Sequence, residues 1–101
     1  MKYERYDVCR LKVPFDDEDT KTRPLLVITD IGDAVKGLKI STKPRTDIHQ
    51  YRIINYREAG LEESYIYYKP LKRFEKNEIG EKIGRLSLLD IHNFERKFFK
   101  R

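Results

Sequence analysis

Through residues 7–15, DVCRLKVPF, Val8, Arg10 and Lys12 fall on one side of the chain and Cys9, Leu11 and Val13 on the other. A period of two is that of a strand with one face covered, so a half-buried first strand is predicted here. The next residues, DDEDTKT, combine charge with turn formers and read as an exposed loop. Arg23-Pro24 closes that loop. Proline can open a strand but has no N–H to offer in its middle, and the continuous apolar run LLVIT that follows suits a central strand covered on both faces.

Two glycines and an aspartate in IGDAVKG, residues 31–37, predict a turn. LKIST then resumes alternation, until KPRTD ends a third strand at Ser41-Thr42. IHQYRII (48–54) and YIYYK (65–69) are β-branched and aromatic and predict two more strands. Between them NYREAGLEE has room for one helical turn closed by Gly60. After PLKRFEKNE the period changes: Leu88, Ile91, Phe94 or Glu95, and Phe98 recur at helical spacing, with Ser87 and Asp90 placed as a capping box. The order predicts an α+β, mostly β fold: five to six short strands curled into a small barrel, with one C-terminal helix.

With 101 residues the chain has material for one core, so residues 1–101 are read as a single domain. Charged residues make up 39%, yet five Phe, seven Tyr and an equal hydrophobic share set the chain apart from disordered sequences. The formal net charge of +5 favours acidic or polyanionic partners. Cys9, the single cysteine, lies inside an apolar alternation and is expected to be a small buried hydrophobe in a reducing, cytoplasmic setting. No apolar run approaches the roughly 18 residues of a membrane span, and MKYERYDV lacks the apolar centre of a signal peptide. Neither a Cys/His ligand cluster nor a glycine-rich phosphate loop occurs, so no metal or nucleotide cofactor is expected.

Three segments in order, VPFDDEDTKTRPLLVI, LKISTK and SYIYYKPLKRFEKNEIGEKIGRLSLLDI, resemble the PemK/MazF-like toxins, small ribosome-independent endoribonucleases of toxin-antitoxin pairs. The likeness spans nearly the whole chain. Its most specific parts are the Arg-Pro pair behind an acidic loop and KIGRLS at the entry to the last helix. It implies an SH3-like curled barrel, sequence-selective cleavage of single-stranded mRNA, no cofactor, a homodimer and a cognate antitoxin. It also implies a site made of the Arg-Pro arginine, here Arg23, and a hydroxyl at the end of the third strand. The family commonly ends that strand in Ile-Thr-Ser; here Ile40 is followed by Ser41 and then Thr42, so either hydroxyl is a candidate.

Such a site suits RNA cleavage by the substrate's own 2'-hydroxyl. The protein has only to orient the phosphate, neutralise developing charge and move a proton, and a guanidinium fork does the first two. Arginine is a poor proton carrier, and the Arg-x-Asp that some relatives carry on the fifth strand is replaced here by Tyr67 and Lys69. A lowered pKa would make Tyr67 or Lys69 a proton donor, against plainer roles in cross-strand packing and solvated charge; His49, on the predicted fourth strand, is the other candidate for proton transfer, while His92 on the helix is read as structural. Lys21, Lys39, Lys43, Arg45, Tyr67 and Lys69 are candidates for RNA contact. The acids Asp16 to Asp19 are read as a flap pairing with Lys21 and Arg23, and Leu88, Phe98 and Phe99 as candidates for a dimer surface. The competing reading keeps the fold and drops catalysis, leaving a nucleic-acid- or protein-binding module.

Overall fold

The computed structural model describes residues 2–12, 23–47 and 49–99. Their core is one antiparallel sheet in the order β4-β5-β3-β2-β1-β7, with β6 also paired to β3. The strands are β1 (Asp7–Leu11), β2 (Pro24–Asp30), β3 (Ala34–Ser41), β4 (Gln50–Arg52), β5 (Tyr65–Tyr67), β6 (Lys72–Glu75) and β7 (Ile79–Arg85), followed by helix α1 (Leu88–Phe98). β3 holds the sheet together. One of its edges lies along β2, while the other pairs with β6 through Ala34 to Gly37 and with β5 through Ile40 and Ser41. The sheet curls but does not close, with β4 and β7 at its ends. The expected class, mostly β with a C-terminal helix, is the one found.

Several expectations change in detail. β1 is not half-buried: Val8 and Cys9 point to opposite faces and both are fully buried, because the sheet carries a core on each side. The larger core joins Val8, Leu26, Leu38, Ile66 and Leu86 to the underside of α1, and the smaller gathers Tyr3, Cys9, Leu25, Val27, Val35 and Ile79. β2 behaves as predicted, with Leu25 through Ile28 buried on alternate faces. The turn expected over residues 31–37 is confined to Ile31–Asp33, where the Ile31 N–H reaches the Ala34 carbonyl at 2.9 Å. Gly37 instead lies within β3, where a Cβ would meet Leu25 Cδ1 at 2.5 Å and the Leu26 carbonyl oxygen at 2.7 Å. Its missing side chain serves close packing, which the sequence pattern cannot distinguish from a turn.

PLKRFEKNE, read as the stretch before the helix, contains β6 and a short 3-10 turn over Lys76–Glu78, and β7 follows it. β7 is half-exposed along most of its length, so it lacks the apolar alternation that marks a strand. Seven strands therefore stand where five to six were expected. The predicted strand over residues 48–54 is reduced to Gln50–Arg52. His49 accordingly precedes β4, exposed, with its carbonyl accepting from the Tyr68 N–H at 3.2 Å.

Helix α1 starts where Ser87 predicts. The Ser87 hydroxyl oxygen accepts the Asp90 N–H at 3.1 Å, satisfying one of the open N–H groups of the first turn. Asp90 does not complete a capping box. Its carboxylate is fully buried and accepts from the Tyr51 hydroxyl at 2.6 Å and from the N–H groups of Ile54 and Asn55 at 2.8 Å each, so it ties helix to loop. The helix buries Phe94, which packs edge-on against Tyr6 and Tyr51 and stacks with Phe98 at 4.9 Å. Leu88, the first residue of the helical spacing, is 85% exposed.

Candidate functional site

Two features bring Arg23 to the end of β3. Its carbonyl accepts the Leu11 N–H at 2.9 Å, which fixes the backbone where the chain enters the sheet. Pro24 then opens β2 opposite Arg10, a place where its missing N–H disrupts nothing inside the sheet. Leu25 is registered with Lys39, the last pair between β2 and β3, so Arg23 and Ser41 lie beyond the same end of that ladder.

Arg23, Lys39, Ser41, Thr42 and Lys43 form one wall of a groove of about 530 Å³. Arg10 and Ile83 contribute from β1 and β7, and the turn from Gly60 to Ser64 closes the other side. Arg23 and Thr42 are exposed; Ser41 is half-buried. The Ser41 hydroxyl oxygen accepts the Lys43 N–H at 3.1 Å, leaving its proton to donate toward a ligand. Among the described residues, four cations, Arg10, Arg23, Lys39 and Lys43, line this groove with a single carboxylate, Glu62. It is a site for an anion that carries hydrogen-bond acceptors.

The turn opposite is held as firmly as the strand wall. The Glu58, Ala59 and Gly60 N–H groups each reach back three residues, and the Leu61 N–H reaches the Tyr56 carbonyl at 3.0 Å, the helical turn expected in this insert. Gly60 has φ +76°, and a Cβ there would also collide with the Ile83 carbonyl, so no other residue fits without strain. The buried Ser64 hydroxyl donates to the Glu62 carbonyl at 2.6 Å.

The remaining candidates lie elsewhere. His49 and Lys69 line a second, larger groove of about 1320 Å³ between β4, the segment after β5 and α1, together with Arg52, Tyr68, Arg96 and Phe98. Burial pushes the Tyr68 phenol there up to about 12. Tyr67 is buried, and its hydroxyl donates to the Lys43 carbonyl at 2.7 Å, so it braces the loop after Ser41 instead of presenting a ring for base stacking. Arg45 pairs with Asp47, whose carboxyl is held below the ordinary range by the arginine's hydrogen bonds. Lys21 and Asp16 to Asp19 lie outside the described residues. Among the described residues no group of three His, Cys, Asp or Glu is placed to hold a metal ion, and no helix is long and apolar enough to cross a membrane.

Sequence reasoning missed Arg10, Leu61, Glu62 and Ile83 as groove residues. Arg10 was recoverable in principle, because pairing strands one and two brings it opposite Pro24. Glu62 had no local signal beyond following the turn glycine.

No family model and no curated protein matches the sequence. Solved structures do match. An endoribonuclease from a mycobacterial species superposes with a TM-score of 0.74 at 14% identity, over 97% of this chain and 88% of that one. A mycobacterial endoribonuclease in complex with its cognate antitoxin gives a TM-score of 0.71 at 16% identity, over 93% and 88%. This chain therefore has the fold of those endoribonucleases, the architecture that its resemblance to the PemK/MazF-like toxins implies.

Proposed function

We propose that the protein is an endoribonuclease toxin that cleaves single-stranded RNA and is restrained by a cognate antitoxin protein. The observation that carries this reading is that Arg23, Ser41 and Thr42 line one groove. The Arg23 fork grips the non-bridging oxygens of a phosphodiester, and Ser41 or Thr42 donates beside it. Lys39 and Lys43 extend the positive wall along the flanking phosphates. The substrate supplies its own nucleophile, the 2'-hydroxyl, so the reaction yields a 2',3'-cyclic phosphate and a 5'-hydroxyl. Charge that builds on the phosphoryl oxygens is met by groups already in place.

The fold likeness to an endoribonuclease solved with its antitoxin supports an antitoxin as partner. The reading also includes action in the cytoplasm and a homodimer, for which the exposed apolar Leu88, Leu89 and Phe99 are the available surface. One observation favours a non-catalytic binding module instead. The strand-five positions where some relatives carry acid and base hold a buried, hydrogen-bonded Tyr67 and an exposed Lys69 facing the other groove.

The test is incubation of purified protein with a long unstructured RNA beside Arg23→Ala. Fragments ending in 2',3'-cyclic phosphate from the parent protein alone are expected. RNA binding by both proteins with no fragments from either would establish the binding module.

A further inference from the structure

We propose that Glu62 is the proton acceptor of this site, taking the proton of the attacking 2'-hydroxyl. The inference rests on the endoribonuclease reading and supplies the component that the Arg23 wall lacks. Lysine and arginine side chains already carry their protons at neutral pH, and serine and threonine hydroxyls accept one only as strong acids would force them to. Among the described groove residues Glu62 is the one carboxylate, and so the one side chain suited to accepting a proton.

Its surroundings suit that task. The two adjacent acids of this turn face different ways: Glu63 pairs with Arg52 at 2.6 Å, while Glu62 lines the Arg23 groove and makes no ion pair among the described residues. The Glu62 backbone is set from both sides, by Gly60 pressed against the Ile83 carbonyl and by the buried Ser64 hydroxyl on the Glu62 carbonyl. Glu62 thus lines the same groove as the cations that would grip a phosphodiester. His49, the other candidate for this role, lines the second groove.

In the step itself the 2'-oxygen bonds to phosphorus as the bond from phosphorus to the 5'-oxygen breaks. The 2'-hydroxyl proton passes to the Glu62 carboxylate, and the departing 5'-oxygen takes a proton from the ammonium group of Lys39 or Lys43. Solvent then returns the proton from the carboxylic acid to the amine, so the protein ends as it began.

Glu62→Gln keeps the size and hydrogen bonding of the side chain but cannot accept the proton, and an exposed position makes it safe for folding. On an RNA that the parent protein cleaves, Glu62→Gln should lower kcat on the order of 10²- to 10⁴-fold, the usual span for general acid–base catalysis. KM should change less than about threefold, and the acid limb of the pH profile of kcat should disappear. Glu63→Gln should cleave at the parent rate. If the parent protein cleaves and Glu62→Gln cleaves within about threefold of it with the acid limb intact, the assignment is overturned while the endoribonuclease reading stands. Absence of cleavage by the parent protein would instead remove that reading, and this assignment with it.

Discussion

Two grooves among the described residues are built from similar groups and arranged for different chemistry. The larger lies between strand ends and helix, with Arg52, Lys69, Arg96 and Lys97 around aromatic Tyr68 and Phe98. It holds neither an aliphatic hydroxyl nor a carboxylate among its described lining residues. The smaller has less than half that volume, yet its described lining adds to its cations a serine, a threonine and one acid, Glu62, that makes no ion pair among the described residues. Volume and positive charge would rank the first above the second. What distinguishes the second is the mixture of groups needed for one reaction, held on antiparallel strands whose register is rigid. Net charge directs a polyanion to the surface, whereas chemistry requires donors and acceptors at fixed separations.

That contrast breaks most visibly at Arg23. Arg23→Ala is expected to reduce RNA cleavage about 10²- to 10³-fold, the usual cost of losing one preorganised charge-stabilising donor. Lys97→Ala, in the other groove, should change the rate less than about threefold. Quantified fragment yield under single-turnover conditions decides it, and equal losses would mean that the grooves had been assigned the wrong way round.

Asp90 separates the grooves through stability. It supports Tyr51 and Ile54, both of which line the larger groove, and its removal strands four donors, the hydroxyls of Tyr51 and Ser87 and the N–H groups of Ile54 and Asn55. With each stranded donor costing about 1–3 kcal/mol, Asp90→Ala should lower unfolding stability by about 3 kcal/mol or more, read as a fall in the urea midpoint. Cleavage per folded molecule should stay within about threefold.

Smaller again is the difference between the two hydroxyls. Ser41 ends β3 half-buried, with its oxygen already fixed by the Lys43 N–H, while Thr42 is exposed one residue beyond the strand. Ser41→Ala should lower kcat about tenfold, as expected for a hydrogen bond to a charged group, and Thr42→Ala less than about threefold. The reverse order would assign the family's threonine role to Thr42.

The least effect concerns a carboxylate remote from either groove. Asp30 accepts from the Tyr3 and Gly32 N–H groups and pairs with Lys76 at 2.9 Å. The Tyr3 hydrogen bond first, then Lys76, hold its carboxyl well below the usual carboxylate range. A carboxyl lowered in the folded state adds stability above its unfolded value, 3.8, and loses that contribution as pH falls beneath it. Acid unfolding of the parent protein below about pH 4 should therefore be steeper than that of Asp30→Asn, with no change in cleavage at neutral pH.

Local pattern was enough for much of the fold. The all-apolar LLVIT run could only be satisfied with both faces covered, Ser87 could only start a helix, and Gly60 could close a turn at little cost, so these elements stand where expected. Gly37, β6 and β7 were misread or missed for a common reason. A glycine that permits close packing looks like one that turns, and a half-exposed strand such as β7 carries no apolar alternation.

The site divides in the same way. Sequence by itself determined which chemistries were present: one Arg-Pro pair, two adjacent hydroxyls, a surplus of lysines, and no ligand set for a metal. Which of them meet was decided only by tertiary structure. Folding brought Arg23, Ser41, Thr42 and Glu62, distant along the chain, to the lining of one groove. The same folding sent Tyr67 into the core and His49 to the far side. Residue types follow from the chain, but proximity between residues distant along it depends on how sheets pair and turns pack, which no local period encodes.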